Sequence, residues 1–216
     1  MAQAQIQTYA TCTQVTFPDI LYRYREALIQ LGCTNQQVLE WITEITWPTS
    51  DDDSFGDIYA APVRLTPPDT AGLECVGIEI SLYGEAAVPS LKDLPTWVGF
   101  NLLIDTEQLP PGSTEVLFSA QVGRTIWQIL QVLARNFTEI GAYLTDEWQD
   151  NQTWRIIAES AGDPWVFCLG VFPRQLASYF IEVPAGFKGT VVDAGFGFAE
   201  VNRWQKLPWE TTQRVK

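Results

Sequence analysis

The order in which helical and strand-like apolar patterns follow one another limits the folds open to this chain. Two helical patterns come first, at 17–31 and 35–46, and two strand-like patterns follow them. A third helical pattern, ending near Phe137, precedes a C-terminal third that is rich in strand signals. Because strands and helices do not alternate, the order does not fit a doubly wound parallel sheet. The sequence therefore predicts an α+β fold, with a mostly antiparallel sheet and with the N-terminal helical hairpin and the one long helix packed on one side.

The strand predictions rest on several kinds of pattern. Residues 75–83 alternate apolar and polar side chains, which predicts a strand with one wet face. Residues 97–104 are apolar on both faces apart from Asn101, which predicts a central strand. The start of the chain, 1–16, is rich in Gln and Thr and predicts an extended arm or an edge strand. Further strands are predicted at 141–145, 153–159, 165–172, 179–183 and 189–201.

The length of the chain fits a single α+β domain over residues 1–216. A subdivision into a helical hairpin, 1–46, and a sheet-plus-helix core, 74–204, remains open. Between these two parts, residues 47–73 contain four prolines and a run of three aspartates. This composition predicts a long loop, which in a compact domain is functional or mobile more often than not.

The charge of the chain is strongly negative and unevenly distributed. The formal net charge is −13, and residues 1–150 hold 20 acidic and 6 basic residues. Between residues 26 and 63 there are seven acidic residues and no basic one. Such a surface repels phosphate backbones and anionic lipids, so we expect no binding to nucleic acid or to a membrane. The charge favours a basic protein partner, and a surface that only maintains solubility is the alternative.

The chain contains no histidine. This excludes the usual forms of His-dependent nucleophile activation and of His-ligated zinc, copper or iron. The four cysteines are far apart and form no C-x-x-C pair, which indicates buried thiols of a reducing compartment: they are Cys12, Cys33, Cys75 and Cys168. No P-loop, dinucleotide-binding or G-x-S-x-G motif occurs. We therefore expect no catalytic residue, no metal and no cofactor.

The N-terminal residues and the apolar stretches bear on where the protein works. The first ten residues lack the basic and apolar regions of a secretory signal. No stretch reaches the ~18 apolar residues that a membrane helix requires. Together with the dispersed cysteines, these features predict a soluble, cytoplasmic protein.

A first cluster of acidic residues is a candidate binding site. It lies in the run 51–57 and comprises Asp51, Asp52, Asp53 and Asp57. Taken as an EF-hand loop, this run would place Phe55 and Pro62 at ligand positions 5 and 12, so calcium binding is not expected. We interpret the run as a solvated charged loop, or as a strip that docks a basic partner.

A second cluster and two tryptophans complete the candidates. The cluster comprises Asp146, Glu147 and Asp150, with Trp148 between them. Two carboxylates beside an aromatic ring are what a glycoside hydrolase uses, although an acidic turn with a buried Trp explains the same residues. Trp204 and Trp209 precede the polar C-terminal tail, where we expect exposure, and exposed Trp marks binding surfaces.

Three functions are compatible with these features. The first is a non-catalytic protein-binding module, such as an inhibitor, an immunity-type protein or an assembly factor, and the charge and the missing motifs favour it. The second is a structural subunit of a homo-oligomer, in which apolar strands form the interface. The third is a small-molecule or carbohydrate-binding domain, or a carboxylate-dependent hydrolase, that uses the cluster around Asp146.

Overall fold

A computed structural model describes residues 3–48, 55–84, 95–106, 118–146, 149 and 152–210. The helices within these ranges are α1 (Phe17–Gln30), α2 (Gln36–Glu44), α3 (Ala120–Asn136) and α4 (Gln152–Glu159). The strands are β1 (Gln3–Cys12), β2 (Phe55–Tyr59), β3 (Val63–Leu65), β4 (Leu73–Cys75), β5 (Gly77–Tyr83), β6 (Thr96–Asp105), β7 (Ala142–Asp146), β8 (Leu169–Phe172), β9 (Phe187–Val192) and β10 (Gly195–Glu200). Short 3₁₀ turns occur at Arg174–Tyr179 and Val201–Arg203.

Eight of the strands form one sheet in the order β2-β5-β6-β1-β7-β8-β10-β9. Every pair of neighbours in this sheet is antiparallel. Strands β3 and β4 form a separate antiparallel pair. The α+β prediction, with its mostly antiparallel sheet, is therefore confirmed.

The two faces of the sheet are covered differently. On the first face, Ile6 of β1 shares a buried cluster with Leu28 of α1, Val38 of α2 and Leu130 of α3. The helical hairpin and the long helix thus pack on one side, as predicted. On the second face, Tyr9 of β1 belongs to a mainly aromatic cluster that includes side chains of α4 and of the turn at Arg174–Tyr179.

Strand β1 lies in the middle of the sheet, so the prediction of an extended arm or an edge strand for 1–16 is wrong. It pairs with β6 over all ten of its residues, and with β7 on its other side. Its glutamines misled the prediction because they lie on the second face, where Gln7 is completely buried.

Residues 152–159 form helix α4 instead of the strand predicted at 153–159. The buried side chains Thr153, Trp154 and Ile157 share one side of this helix. Their spacing of three to four residues is helical, but over a segment of only eight residues it resembles an irregular strand pattern. Helix and strand are hard to separate by pattern over so short a segment.

Three other strand predictions also need correction. The strand predicted at 165–172 begins only at Leu169. Residues 179–183 contain no strand: Tyr179 ends the 3₁₀ turn, and the residues after it are irregular. The long strand predicted at 189–201 is the β9–β10 hairpin, in which Gly195 faces Val192 across the turn.

The long loop predicted at 47–73 is also wrong over its described second half. It contains β2 and β3 and leads into β4. These strands have five, three and three residues, and prolines lie around them, so too few alternations are present to identify them from sequence.

Candidate functional site

The structure describes four of the ten binding residues predicted from sequence. The other six lie outside the described residues: Asp51, Asp52, Asp53, Glu147, Trp148 and Asp150. Asp57 lies on β2 at one edge of the sheet, four strands away from β7, which carries Asp146. The structure therefore does not join Asp57 and Asp146 into one site.

Asp146 forms part of an ion-pair network at the end of β7. Its Oδ2 lies 2.8 Å from Nη2 of Arg203, and Nε of Arg203 lies 3.0 Å from Oε2 of Glu200. The backbone N–H of Asp146 donates to the side-chain oxygen of Gln149, at 3.3 Å. One guanidinium thus compensates two carboxylates, which is an arrangement that ties β7 to the end of β10.

The two tryptophans near the C-terminus contribute to packing. Trp204 is only 5% exposed, so the prediction that it is exposed is wrong. Its ring stacks on Phe118 at 4.9 Å, and its indole N–H donates to the carbonyl of Cys168. Trp209 is half-buried and lies 5.2 Å from the ring of Trp127 on α3. Both rings hold the C-terminal segment against the sheet and α3.

The four cysteines are buried free thiols, as predicted. Burial raises the pKa of Cys12, of Cys75 and of Cys168 to about 12, although Arg203 acts in the opposite direction at Cys168. Burial also raises the pKa of Cys33. Because the thiolate is the reactive form, these side chains are poorly suited to nucleophilic or redox chemistry at neutral pH.

Because of these buried thiols, we expect the protein to become less stable at alkaline pH. The folded pKa of Cys75 is about 12 and its ordinary value is 9.0, so the stabilising effect of keeping it protonated is complete below pH ~9 and is lost between about pH 9 and 12. Each such thiol should remove about 1.4 kcal/mol of unfolding free energy per pH unit in that window. Urea unfolding measured at a series of pH values tests this. In Cys75→Ala, the unfolding free energy should fall less steeply with pH, by the contribution of one thiol. An unchanged slope would contradict the raised pKa of Cys75.

An open groove lies between the start of α1 and the end of α2. We call it the hairpin groove; it has a volume of about 530 Å³ and is lined by residues that include Phe17, Asp19, Leu21, Tyr22, Ile45 and Trp47. Phe17 and Trp47 meet edge to face at 5.5 Å. Tyr22 is 57% exposed although it lines an apolar groove.

Val15 lies just before this groove, in an ordered turn. The backbone N–H groups of Thr16 and Phe17 both donate to the carbonyl of Thr13, and the N–H of Thr13 donates to Oγ1 of Thr16 at 2.9 Å. The turn therefore holds Val15 in a defined position with 86% of its surface exposed.

The charges around the hairpin groove are mostly negative. Among its described lining residues Asp19 is the one carboxylate, and there is no Lys or Arg. The exposed residues Glu40 and Glu44 lie on α2. On α1, Arg23 pairs with Glu139, and Arg25 pairs with Glu26. The nearby bases are therefore paired with carboxylates, although the guanidinium of Arg25 also lies 5.8 Å from the centre of the Tyr22 ring.

The sequence analysis did not identify the hairpin groove. Its residues belong to two predicted helices, and each helix taken alone has an ordinary apolar face. The available signal was the isolated Val15 in an otherwise polar turn directly before a helix. The groove depends on how α1 and α2 pack against each other, and a single sequence does not determine that packing.

Two further expectations concern metals and membranes. Within the described ranges, no group of three or more His, Cys, Asp or Glu side chains is placed to hold a metal ion. Across the same residues, none of the helices combines the length and the apolar character needed to cross a bilayer.

Comparison with known proteins does not add to this description. No protein-family model matches the chain, and neither a curated protein nor a solved structure shows significant similarity to it. The candidate site therefore rests on the geometry and the charge of the hairpin groove alone.

Proposed function

We propose that this chain is a non-catalytic protein-binding module that receives a basic, partly apolar segment of a partner protein in the hairpin groove. The observation that carries the proposal is the exposed ring of Tyr22 in a groove whose described lining includes no Lys or Arg. In protein interfaces, a few apolar and aromatic anchors supply most of the binding free energy. Tyr22 is suited to this role because it is an exposed aromatic side chain carried by helix α1.

The negative charge supports a basic partner. Asp19 lies in the groove and Glu40 and Glu44 are exposed on α2, so a Lys- or Arg-rich segment would meet one carboxylate in the groove and two more on the neighbouring helix. Complementary charges of this kind accelerate encounter and select the partner more than they raise the affinity. More specifically, we propose that the protein is an inhibitor, an immunity-type protein or an assembly factor that works in the cytoplasm.

A labelled synthetic peptide made of Lys and Leu tests the groove. Its Leu residues recur at the spacing of one helix face. We expect the full chain to bind it and the affinity to fall between about 50 mM and 500 mM salt, as the screening length shrinks to roughly a third. Tyr22→Ser should weaken binding by about tenfold or more, since it removes the exposed aromatic anchor of the groove. Fluorescence anisotropy measures both effects.

Ile29→Ser is the matched control for this experiment. Ile29 lies on the same helix and is 40% exposed, but it is not among the residues that line the groove. Its replacement should leave peptide binding unchanged. Equal losses in Tyr22→Ser and Ile29→Ser, or no loss in either, would show that the peptide recognises only the general negative charge.

Self-association is a second candidate function, which the outer strand β9 favours. This strand is the last in the sheet, and Val191 on it is 70% exposed. Ile181, in the preceding segment, is 78% exposed. An apolar edge strand is a template for pairing with another chain. Sedimentation velocity should then show a dimer that Val191→Asp dissociates; a monomer at every concentration would exclude this candidate.

A further inference from the structure

A cavity of about 340 Å³ lies where the β3–β4 pair, the end of β6 and the start of α3 meet. We call it the α3 cavity. Its volume falls within the range of ~300–1,000 Å³ that is usual for small-molecule sites. Its described lining shares no residue with the hairpin groove, so the two sites are separate. Three charged side chains line it, each from a different strand: Arg64 of β3, Glu74 of β4 and Asp105 of β6.

The α3 cavity extends from the core to the solvent. Among its lining residues, Leu73 and Thr125 are buried, whereas Arg64 and Glu74 are exposed. The hydroxyl of Thr125 already donates to the carbonyl of Gln121 at 3.1 Å, so the deep part of the cavity suits an apolar group. A ligand can therefore enter from the solvent, with its apolar part on the floor and its charged groups near the opening.

Two opposite charges line the α3 cavity without direct contact. Arg64 and Glu74 are directly opposite each other in the β3–β4 pair. Opposite charges at such positions project from the same face and attract each other. Among the described residues, however, no ion pair joins these two side chains, and none involves Glu74. Nη2 of Arg64 donates instead to the carbonyl of Ala71, at 2.9 Å. The cavity therefore presents a cation and an anion that remain open to a ligand.

The turn between β3 and β4 holds the guanidinium of Arg64 in place. Gly72, in this turn, has φ +80°, and a β-carbon there would lie 2.8 Å from the carbonyl oxygen of Leu65 and 3.4 Å from Nη2 of Arg64. Glycine thus lets the guanidinium lie close to the backbone. A guanidinium has five N–H donors in a planar fork that matches a carboxylate. The bond to Ala71 uses one of them, and the rest of the fork suits a ligand carboxylate.

We propose that the α3 cavity binds a free α-amino acid with an aliphatic side chain. The carboxylate of the ligand pairs with the guanidinium of Arg64, and its ammonium group pairs with the carboxylates of Glu74 and Asp105. Its side chain lies against Leu73 and Val122, the apolar lining residues. A zwitterion satisfies both kinds of charge. A simple anion would meet two carboxylates, and a simple cation would lie beside Arg64, so each of them fits less well.

NMR titration of the ¹⁵N-labelled full chain tests the proposal with probes that share one branched apolar group. L-Valine carries both charges, isovalerate lacks the ammonium group and isobutylamine lacks the carboxylate. L-Valine should bind at millimolar concentration and shift the amide signals of Gly72 and Leu73. Each of the other two probes should bind about tenfold more weakly or less, since it lacks one charge-assisted contact. Equal binding of either of them, or no binding of L-valine, would overturn the proposal.

Arg64→Gln separates recognition of the ligand carboxylate from a structural effect. It should weaken the binding of L-valine by about tenfold and leave that of isobutylamine unchanged or stronger, so that the preference for the zwitterion disappears. Arg124→Gln is the matched control. Arg124 is exposed on α3 and donates to the carbonyl of Ala120 at 3.4 Å, but it is not among the residues that line the cavity. Its replacement removes the same charge and should change neither affinity. Equal losses of L-valine binding in both variants would show that only the overall charge matters and would overturn the proposal.

Discussion

Replacing Gly141 by alanine should lower the free energy of unfolding by about 3 kcal/mol or more. Gly141 has φ +88°, and a β-carbon there would overlap the carbonyl oxygen of Val171 on β8. The backbone cannot shift easily to relieve this overlap. Its N–H donates to the carbonyl of Phe137 at 3.0 Å, and its carbonyl accepts from the hydroxyl of Thr8. The position joins the end of α3 to the start of β7, so strain there acts on the centre of the sheet.

Urea unfolding followed by circular dichroism measures this loss, and Gly186→Ala is the control. A β-carbon at Gly186 would meet no atom within 4 Å, and its φ is not in the left-handed region. Alanine at such a site should be neutral or stabilise the fold by up to about 1 kcal/mol. If Gly141→Ala were tolerated as well as Gly186→Ala, the segment before β7 would be far more adaptable than its hydrogen bonds indicate.

The elements that sequence predicted well have long, regular patterns. Helices α1 and α3 have 14 and 17 residues, enough for the helical spacing of apolar side chains to repeat several times. Strand β6 was correctly predicted to be central because both of its faces are apolar, and seven of its ten residues are buried. For each of these elements, the apolar pattern in the sequence matches the burial of the side chains in the fold. The sequence pattern alone was therefore sufficient to predict the element.

The elements that sequence missed depend on partners distant in the chain. Strand β1 appeared polar and peripheral, yet it pairs with β6 about ninety residues later. Gln5 and Gln7 are typical of an exposed strand, and the polar residues opposite them, Thr145 and Asn101, lie on strands distant in the chain. Helix α4 is short, and its helical conformation depends on the aromatic cluster on which it packs.

The candidate sites illustrate the same limit. Acidic clusters can be identified in a sequence by inspection, but their meaning lies in contacts: Asp146 is held by Arg203, which lies 57 residues away. Trp204 precedes a polar tail and nevertheless packs against Phe118 and α3. The hairpin groove could not be predicted, because it requires the packing of several elements.

Replacing Trp154 by alanine should cost about 3–5 kcal/mol of unfolding free energy, the range expected for a large buried aromatic side chain. Trp154 is 1% exposed, stacks on Tyr9 at 4.8 Å and lies 5.0 Å from the ring of Tyr83, so it fastens α4 to the second face of the sheet. Trp154→Phe is the informative control. The indole N–H has no hydrogen-bond partner within the described residues, so phenylalanine loses packing but no hydrogen bond and should cost far less. Urea unfolding with near-ultraviolet circular dichroism measures both variants; equal losses would mean that the indole nitrogen is bonded after all, and that α4 is fastened by a polar contact rather than by ring packing.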